Sequence, residues 1–230
     1  MRVLLFTVLL LYNFGLLAQV RERSISITSR YLNIPVETLQ DRQKVIFNVN
    51  GESTSLNIRV ADKKTDYWVF RDVTELFGKE IKLSFENNVR GIDLIYQSDS
   101  INGESLIYRE EYRPQIHFTT RRGWINDPNG LVWFDGVFHL FYQHNPYETK
   151  WENMHWGHAT SKDLLHWEEQ PIAMYPDPLG EMFSGSAIID KENTAGFGGD
   201  AMVAIYTAAG RIAQQCLAYS NDGGETFVKY

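Results

Sequence analysis

Hydrophobic and polar residues alternate along several short runs between residues 25 and 110. In the run that starts at Ile81, every second residue is apolar, a period typical of a strand with one buried face. Turn-forming residues such as Asn50-Gly51 separate the runs. The pattern predicts a small antiparallel β-sandwich built from the runs KVIFNVN, SLNIRVAD, YWVFRD, IKLSFEN and GIDLIYQS.

The pattern changes near residues 109–114, after which aromatic residues and histidines become frequent. The run LVWFDGVFHLFYQHN predicts a hairpin whose turn is Asp135-Gly136. In addition, ATSKD at residues 159–163 resembles AYSND at residues 218–222, 59 residues further along the chain. A repeat built from short strands at this kind of spacing is typical of β-propeller blades.

These patterns predict an all-β chain in three parts. Residues 1–18 have the features of a signal peptide, residues 19–111 form a β-sandwich-like module, and residues 112–230 form the first blades of a propeller. Because two blades cannot close a ring, we expect residues 112–230 to be the N-terminal part of a truncated propeller domain.

The N-terminal segment predicts export from the cytoplasm. Arg2 supplies a positive charge, residues 3–17 form an apolar run that Asn13 interrupts, and Ala18 precedes a cleavage position. The run is short for a membrane span, and no cysteine follows it to carry a lipid. We expect a secreted or periplasmic protein without a membrane span after cleavage, the alternative being a buried N-terminal strand or helix.

Composition narrows the possible partners. The chain has 230 residues and a net charge of −7, and its Lys/Arg clusters do not exceed pairs, which argues against a nucleic-acid partner. The single cysteine excludes an intrachain disulfide and a multi-cysteine metal site. The histidines form no HExxH motif and no glycine-rich phosphate loop is present, so we expect neither a metal nor a cofactor.

One run carries the candidate chemistry, RRGWINDPNGLVW at residues 121–133. Its Asn, Asp, Pro and Gly residues all favour turns, so Asp127 is either a turn residue or a nucleophile that a turn presents. Three further features follow along the chain: Gln143 within FYQHNP, Trp151 beside a polar loop, and Phe183-Ser184 within FSGS. Generic turn chemistry alone favours the turn interpretation of Asp127.

Together these segments resemble glycoside hydrolase family 32, which contains invertases, levanases and inulinases. Four segments match family motifs in the family's order: WINDPNG, FYQHNP, WGHA with SKDLLHW, and FSGS. The resemblance covers roughly residues 112–230. The N-terminal module resembles, more loosely, an extra module that precedes the catalytic domain in some gut-type bacterial members.

The resemblance implies a five-bladed propeller that hydrolyses β-fructofuranosidic bonds of sucrose, levan or inulin with retention and without a cofactor. The implied partner is therefore a fructose-containing oligo- or polysaccharide. Asp127 matches the family's nucleophile. The positions that match fructose-contacting residues are Asn126, Gln143, Trp151, Phe183 and Ser184.

A retaining glycosidase also needs a protonated carboxylic acid that donates to the leaving oxygen. The family's Glu-Cys and Arg-Asp-Pro segments do not occur here, so we expect the acid/base residue beyond residue 230 and an inactive chain in isolation. Asp163 matches a structural position in a blade turn. The carboxylates that could replace the acid by residue type only are Asp163, Glu168, Glu169, Asp177 and Glu181.

Two other functions stay open at this point. The chain could be a fructan-binding protein that keeps the pocket without catalysis, or a fructosyltransferase of the same fold. The residues present do not distinguish water from a sugar as the acceptor.

Overall fold

The structure, a computed structural model, describes residues 21–230, so the predicted signal peptide at residues 1–18 lies outside the described residues. Within residues 21–230 the chain forms four antiparallel sheets, and the helical segments are three or four residues long. The all-β prediction is confirmed. In this same part of the chain we find no helix with the length and apolarity needed to cross a bilayer.

Two sheets make up the N-terminal half and share one hydrophobic core. The elements are β1 (Arg21–Ser26), β2 (Tyr31–Val36), β3 (Gln43–Val49), β4 (Glu52–Ile58), β5 (Tyr67–Asp72), a 3-10 turn (Thr74–Leu76), β6 (Glu80–Phe85), α1 (Gly91–Leu94), β7 (Tyr96–Ser98) and a second 3-10 turn (Glu104–Leu106). The strand orders are β1-β6-β3-β4 and β5-β2-β7. Apolar residues from both sheets meet in the core, among them Ile34, Val45, Val69 and Leu83.

Four of the five predicted runs coincide at least in part with β3, β4, β5 and β6. The fifth, GIDLIYQS, divides into α1 and β7 instead of forming one strand. The reason is a close backbone contact: the Gly91 N–H donates to the carbonyl oxygen of Ala61 at 2.8 Å. A Cβ on Gly91 would lie 2.4 Å from that oxygen, so only glycine permits the contact that holds the helical turn.

The second half of the described chain forms two further sheets, each a four-stranded antiparallel meander. The first contains β8 (Trp124–Phe134), β9 (Val137–Asn145), β10 (His155–Ser161) and β11 (Trp167–Glu169). The second contains β12 (Glu181–Asp190), β13 (Ala201–Ala209), β14 (Ala213–Ser220) and β15 (Val228–Lys229). Strands that pair in chain order are the construction of a propeller blade, and the prediction of blades is confirmed. The five-blade ring remains a prediction.

The hairpin of the first blade has the predicted turn. β8 and β9 pair up to Phe134 and Val137, and Asp135 and Gly136 between them have φ of 46° and 80°. Two successive positive φ values define the type I′ turn, whose twist fits a two-residue hairpin.

The sequence repeat occupies equivalent places in the two blades, at the turn after the third strand. In the first blade, Asp163 Oδ1 accepts the N–H groups of Leu165 and His166 at 2.9 and 2.8 Å. In the second, Asp222 Oδ1 accepts the N–H of Thr226 at 3.0 Å. The structural role expected for Asp163 is thereby confirmed.

The innermost strands of the two blades, β8 and β12, pack directly against each other. A Cβ at Gly130 would lie 2.3 Å from the Cβ of Ala187, so the absence of a side chain sets how closely the blades approach. The shared core beneath includes Val132, Phe141, Trp156, Met182 and Tyr206.

Candidate active site

Asp127 lies where the innermost strand of the first blade is irregular. The pairing of β8 with β9 changes register between Ile125 and Pro128, and again between Pro128 and Leu131. Such bulges turn side chains away from the direction that regular pleating would give them. As a result, Asp127 is exposed to solvent although it belongs to an inner strand.

A second irregularity lies opposite, in the second blade. The pairing of β12 with β13 changes register between Phe183 and Gly185, which leaves Ser184 exposed between them. The hydroxyl of Ser184 donates to Asp127 Oδ2 at 2.9 Å. Two bulges from neighbouring blades therefore meet at one carboxylate.

Hydrogen bonds favour the ionised form of this carboxylate. The pKa of Asp127 is lowered, first by the Ser184 hydroxyl and second by the Asn126 side chain. Asn126 is itself oriented, because the indole N–H of Trp124 donates to its Oδ1 at 2.7 Å and leaves its amide N–H groups free to donate. Asp127 is thus a charged, exposed and oriented carboxylate.

Two aromatic side chains form a wall beside this carboxylate. The rings of Trp151 and Phe183 lie 5.7 Å apart in an edge-to-face arrangement. The carbonyl oxygen of Phe183 accepts the indole N–H of Trp156 at 3.0 Å, which fixes the backbone next to Ser184. Trp151 stays 45% exposed, so its ring can contact a ligand.

Gln143 is buried and is bonded to the strand that carries Phe183. It is 2% exposed, and its Nε2 donates to the carbonyl oxygen of Met182 at 2.8 Å. The bond ties the first blade to β12, one residue before Phe183. The second N–H and the carbonyl oxygen of the amide are the groups left for a ligand.

Two of the carboxylates considered as replacements for the acid form ion pairs with basic residues. Glu169 pairs with Arg121 at 3.2 Å, and Asp177 pairs with Lys229 at 2.7 Å. Glu181 differs, because burial first and the neighbouring charge of Glu152 second raise its pKa.

The buried histidines belong to the blade packing. His139 Nδ1 and His158 Nε2 lie 3.1 Å apart between β9 and β10. Burial lowers the pKa of His158, like that of His155, to about 3. In residues 21–230, no three His, Cys, Asp or Glu side chains are grouped in a way that could hold a metal ion.

Asn129 lies close to Asp127 in the chain and was not singled out by the sequence. It is 8% exposed, and within the described chain neither Nδ2 nor Oδ1 of its amide has a hydrogen-bond partner. It lies two positions after Asp127 in the same irregular strand. Its only sequence signal was membership of the turn-rich run, which does not distinguish it from its neighbours.

Comparison with known proteins identifies this half of the chain. Residues 117–230 match the family model described as "Glycosyl hydrolases family 32 N-terminal domain". Residues 117–230 therefore resemble the N-terminal domain of glycosyl hydrolase family 32, and we call them the family 32 segment. The family 32 segment contains Asp127, Ser184 and all the other site residues described above.

Characterised relatives agree with this assignment. The chain is 55% identical over 131 residues to a levanase of Bacillus subtilis, covering 55% of this chain and 19% of the levanase. It is 46% identical over 163 residues to a fructan beta-fructosidase of Streptococcus mutans, covering 69% of this chain and 11% of that protein. The matched regions are therefore about a fifth or less of these relatives.

A solved structure supports the fold of the family 32 segment. The crystal structure of an exo-inulinase from Aspergillus awamori matches with a TM-score of 0.51 and 41% sequence identity. The match covers 54% of this chain and 28% of the exo-inulinase.

Proposed function

We propose that this chain takes part in the hydrolysis of β-fructofuranosidic bonds, with Asp127 as the nucleophile of a retaining mechanism. The observation that carries the proposal is the Ser184–Asp127 hydrogen bond, which holds an exposed, ionised carboxylate at the meeting point of two blades. The named relatives, a levanase, a fructan beta-fructosidase and an exo-inulinase, act on fructans by their names.

The chemistry requires a carboxylate in this state. In a retaining glycosidase an ionised carboxylate attacks the anomeric carbon and forms a covalent glycosyl-enzyme, which water then hydrolyses. The lowered pKa keeps Asp127 charged at neutral pH. The bond from Ser184 holds its orientation, and positioning of this kind contributes much of an enzyme's rate.

The neighbouring residues supply the proposed fructose pocket. Asn126 and Ser184 offer polar groups to sugar hydroxyls, and Gln143 offers the part of its amide that Met182 leaves unused. Trp151 and Phe183 form an apolar wall against which a sugar ring can lie.

We also propose that residues 1–18 direct secretion, that residues 19–111 form an N-terminal module, and that residues 112–230 form part of the propeller.

A chimera tests the proposal. Residues 112–230 replace the corresponding segment of the Bacillus subtilis levanase, to which this region is closely similar. We expect the chimera to release fructose from levan, inulin or sucrose. Asp127→Asn should abolish turnover while sugar binding persists, because the isosteric amide keeps the shape but not the nucleophilic oxygen.

Asp135→Asn is the matched control. Asp135 lies in the hairpin turn that follows β8, outside the residues assigned to the site. Full activity of the Asp135→Asn chimera with no activity of the Asp127→Asn chimera supports the proposal. Fructose release by the Asp127→Asn chimera at the unmodified rate would refute the assigned role.

A further inference from the structure

The segment between β9 and β10, residues 146–154, connects the proposed pocket to the N-terminal half of the chain. We call it the Trp151 loop. On one side its Trp151 ring lies against Phe183 in the pocket wall. On the other side it contacts a residue of β4 and residues of the segments next to β3 and β4.

The most deeply buried of these contacts is an ion pair. Arg59, just after β4, is 3% exposed, and Glu148 in the loop is fully buried. The backbone N–H and Nε of Arg59 donate to Glu148 Oε1 at 2.9 and 3.0 Å, and Nε also reaches Oε2 at 2.9 Å. Separating buried partners leaves an unpaired charge, which is strongly destabilising, so the pair fastens the loop to the module.

Two further contacts extend this attachment. The Asn57 N–H donates to Asn153 Oδ1 at 2.8 Å, and Asn153 Nδ2 donates back to the carbonyl oxygen of Asn57 at 2.8 Å. Tyr147, at the start of the loop, is 2% exposed and belongs to the hydrophobic core of the N-terminal half. Both ends of the loop are thus held by the module.

The last of these contacts reaches Trp151 directly. The Arg42 guanidinium pairs with the carboxylate of Glu152 and donates to the carbonyl oxygen of Trp151 at 3.4 Å. Asn57 Nδ2 donates to the other oxygen of Glu152 at 2.9 Å. The carbonyl oxygen of Trp151 and the side chain of the next residue are therefore bonded to residues outside the family 32 segment.

We propose that the N-terminal module positions the pocket, and that Arg42 and Asn57 are positioning residues that hold Trp151 against Phe183. The inference rests on the proposed function, because it treats this wall as part of a β-fructofuranoside pocket. If the loop is already ordered in the free protein, ligand binding does not pay the entropic cost of ordering it. The affinity for the ligand is therefore higher.

Arg42→Ala tests the proposal, with Arg21→Ala as its matched control. Both arginine side chains are about one-third exposed, at 31% and 32%, and both pair with a carboxylate. Arg21 pairs with Asp93 inside the module and does not contact the loop. Partly exposed pairs contribute little to global stability, so both variants should fold with nearly unchanged melting temperatures.

The first measurement is hydrogen exchange of the backbone amides of residues 150–153 in the full chain. We expect faster exchange in Arg42→Ala, no change in Arg21→Ala, and slower exchange in Arg42→Lys than in Arg42→Ala, because an ammonium can still pair with Glu152. Unchanged exchange in Arg42→Ala would overturn the proposal. This measurement does not depend on any sugar, so it stays decisive even if the proposed function is wrong.

The second measurement is the affinity of the full chain for inulin oligosaccharides and sucrose, by calorimetry. We expect Arg42→Ala to weaken binding roughly two- to tenfold, the range that corresponds to one net hydrogen bond. Trp151→Ala should weaken binding at least as much. Faster loop exchange with unchanged affinity would overturn the role in the pocket, whereas no binding by the unmodified chain would count against the proposed function.

Discussion

The hydroxyl of Ser184 donates to Asp127 Oδ2 at 2.9 Å, across the boundary between two blades. The two residues are 57 positions apart in the chain, and each lies at a β-bulge of an innermost strand. This one bond links the packing of the blades to the charge state of the proposed nucleophile.

Removal of the Ser184 hydroxyl should raise the pKa of Asp127. The bond stabilises the ionised carboxylate, so in Ser184→Ala the folded-state pKa moves up from its lowered value. In the levanase chimera, the acidic limb of the kcat/KM profile should then move to higher pH. Ser186→Ala, on the exposed face of the same strand, is the control and should leave the limb in place.

A side chain at Gly130 should force the blades apart. In Gly130→Ala the new methyl group would lie 2.3 Å from the Ala187 Cβ, so β8 or β12 must shift. We expect a loss of about 1–3 kcal/mol in the free energy of unfolding, as is usual for overpacking. Urea unfolding of the full chain measures it.

Gly199→Ala provides the comparison for that variant, because a Cβ there meets nothing within 4 Å. If Gly130→Ala and Gly199→Ala unfold at the same urea concentration, the close packing of β8 on β12 is not as described.

The buried histidines predict a loss of stability in acid. The folded-state pKa of His155 and of His158 is about 3, below the unfolded value of about 6.5, so the unfolded chain binds more protons between these limits. Stability should be fully present above pH 6.5 and should fall by about 1.4 kcal/mol per pH unit for each such histidine on acidification.

Melting temperatures between pH 7 and pH 4 test this expectation. His158→Gln removes one titrating group and should flatten the pH dependence. An equally steep profile in His158→Gln would contradict the assignment to this buried side chain.

The sequence predicted the features that depend on local patterns. The type I′ turn at Asp135-Gly136 followed from turn chemistry, and the blade repeat followed from the ATSKD and AYSND segments. It missed β2, because all six positions of that strand are buried and no alternation of apolar and polar residues appears. It missed the helical turn at Gly91, because a contact with Ala61, 30 positions away, decides that conformation.

At the candidate site, too, the sequence indicated individual residues but not the contacts between distant positions. Asp127 and Ser184 were both singled out, but the bond between them depends on register shifts that a linear pattern does not contain. Gln143 was expected to line the pocket, and its bond to the Met182 carbonyl oxygen follows from how the blades pack. The pairing of Arg59 with Glu148 links positions 89 apart, and nothing in either local sequence indicates it.

The central claim, that Asp127 is the nucleophile, is tested most directly by trapping the covalent intermediate. The levanase chimera is quenched with acid during turnover of sucrose or inulin, and its peptides are mapped by mass spectrometry. We predict a fructosyl group on the peptide that contains Asp127, and none in Asp127→Asn. A fructosyl group on another carboxylate, or rapid turnover by Asp127→Asn, would contradict the claim.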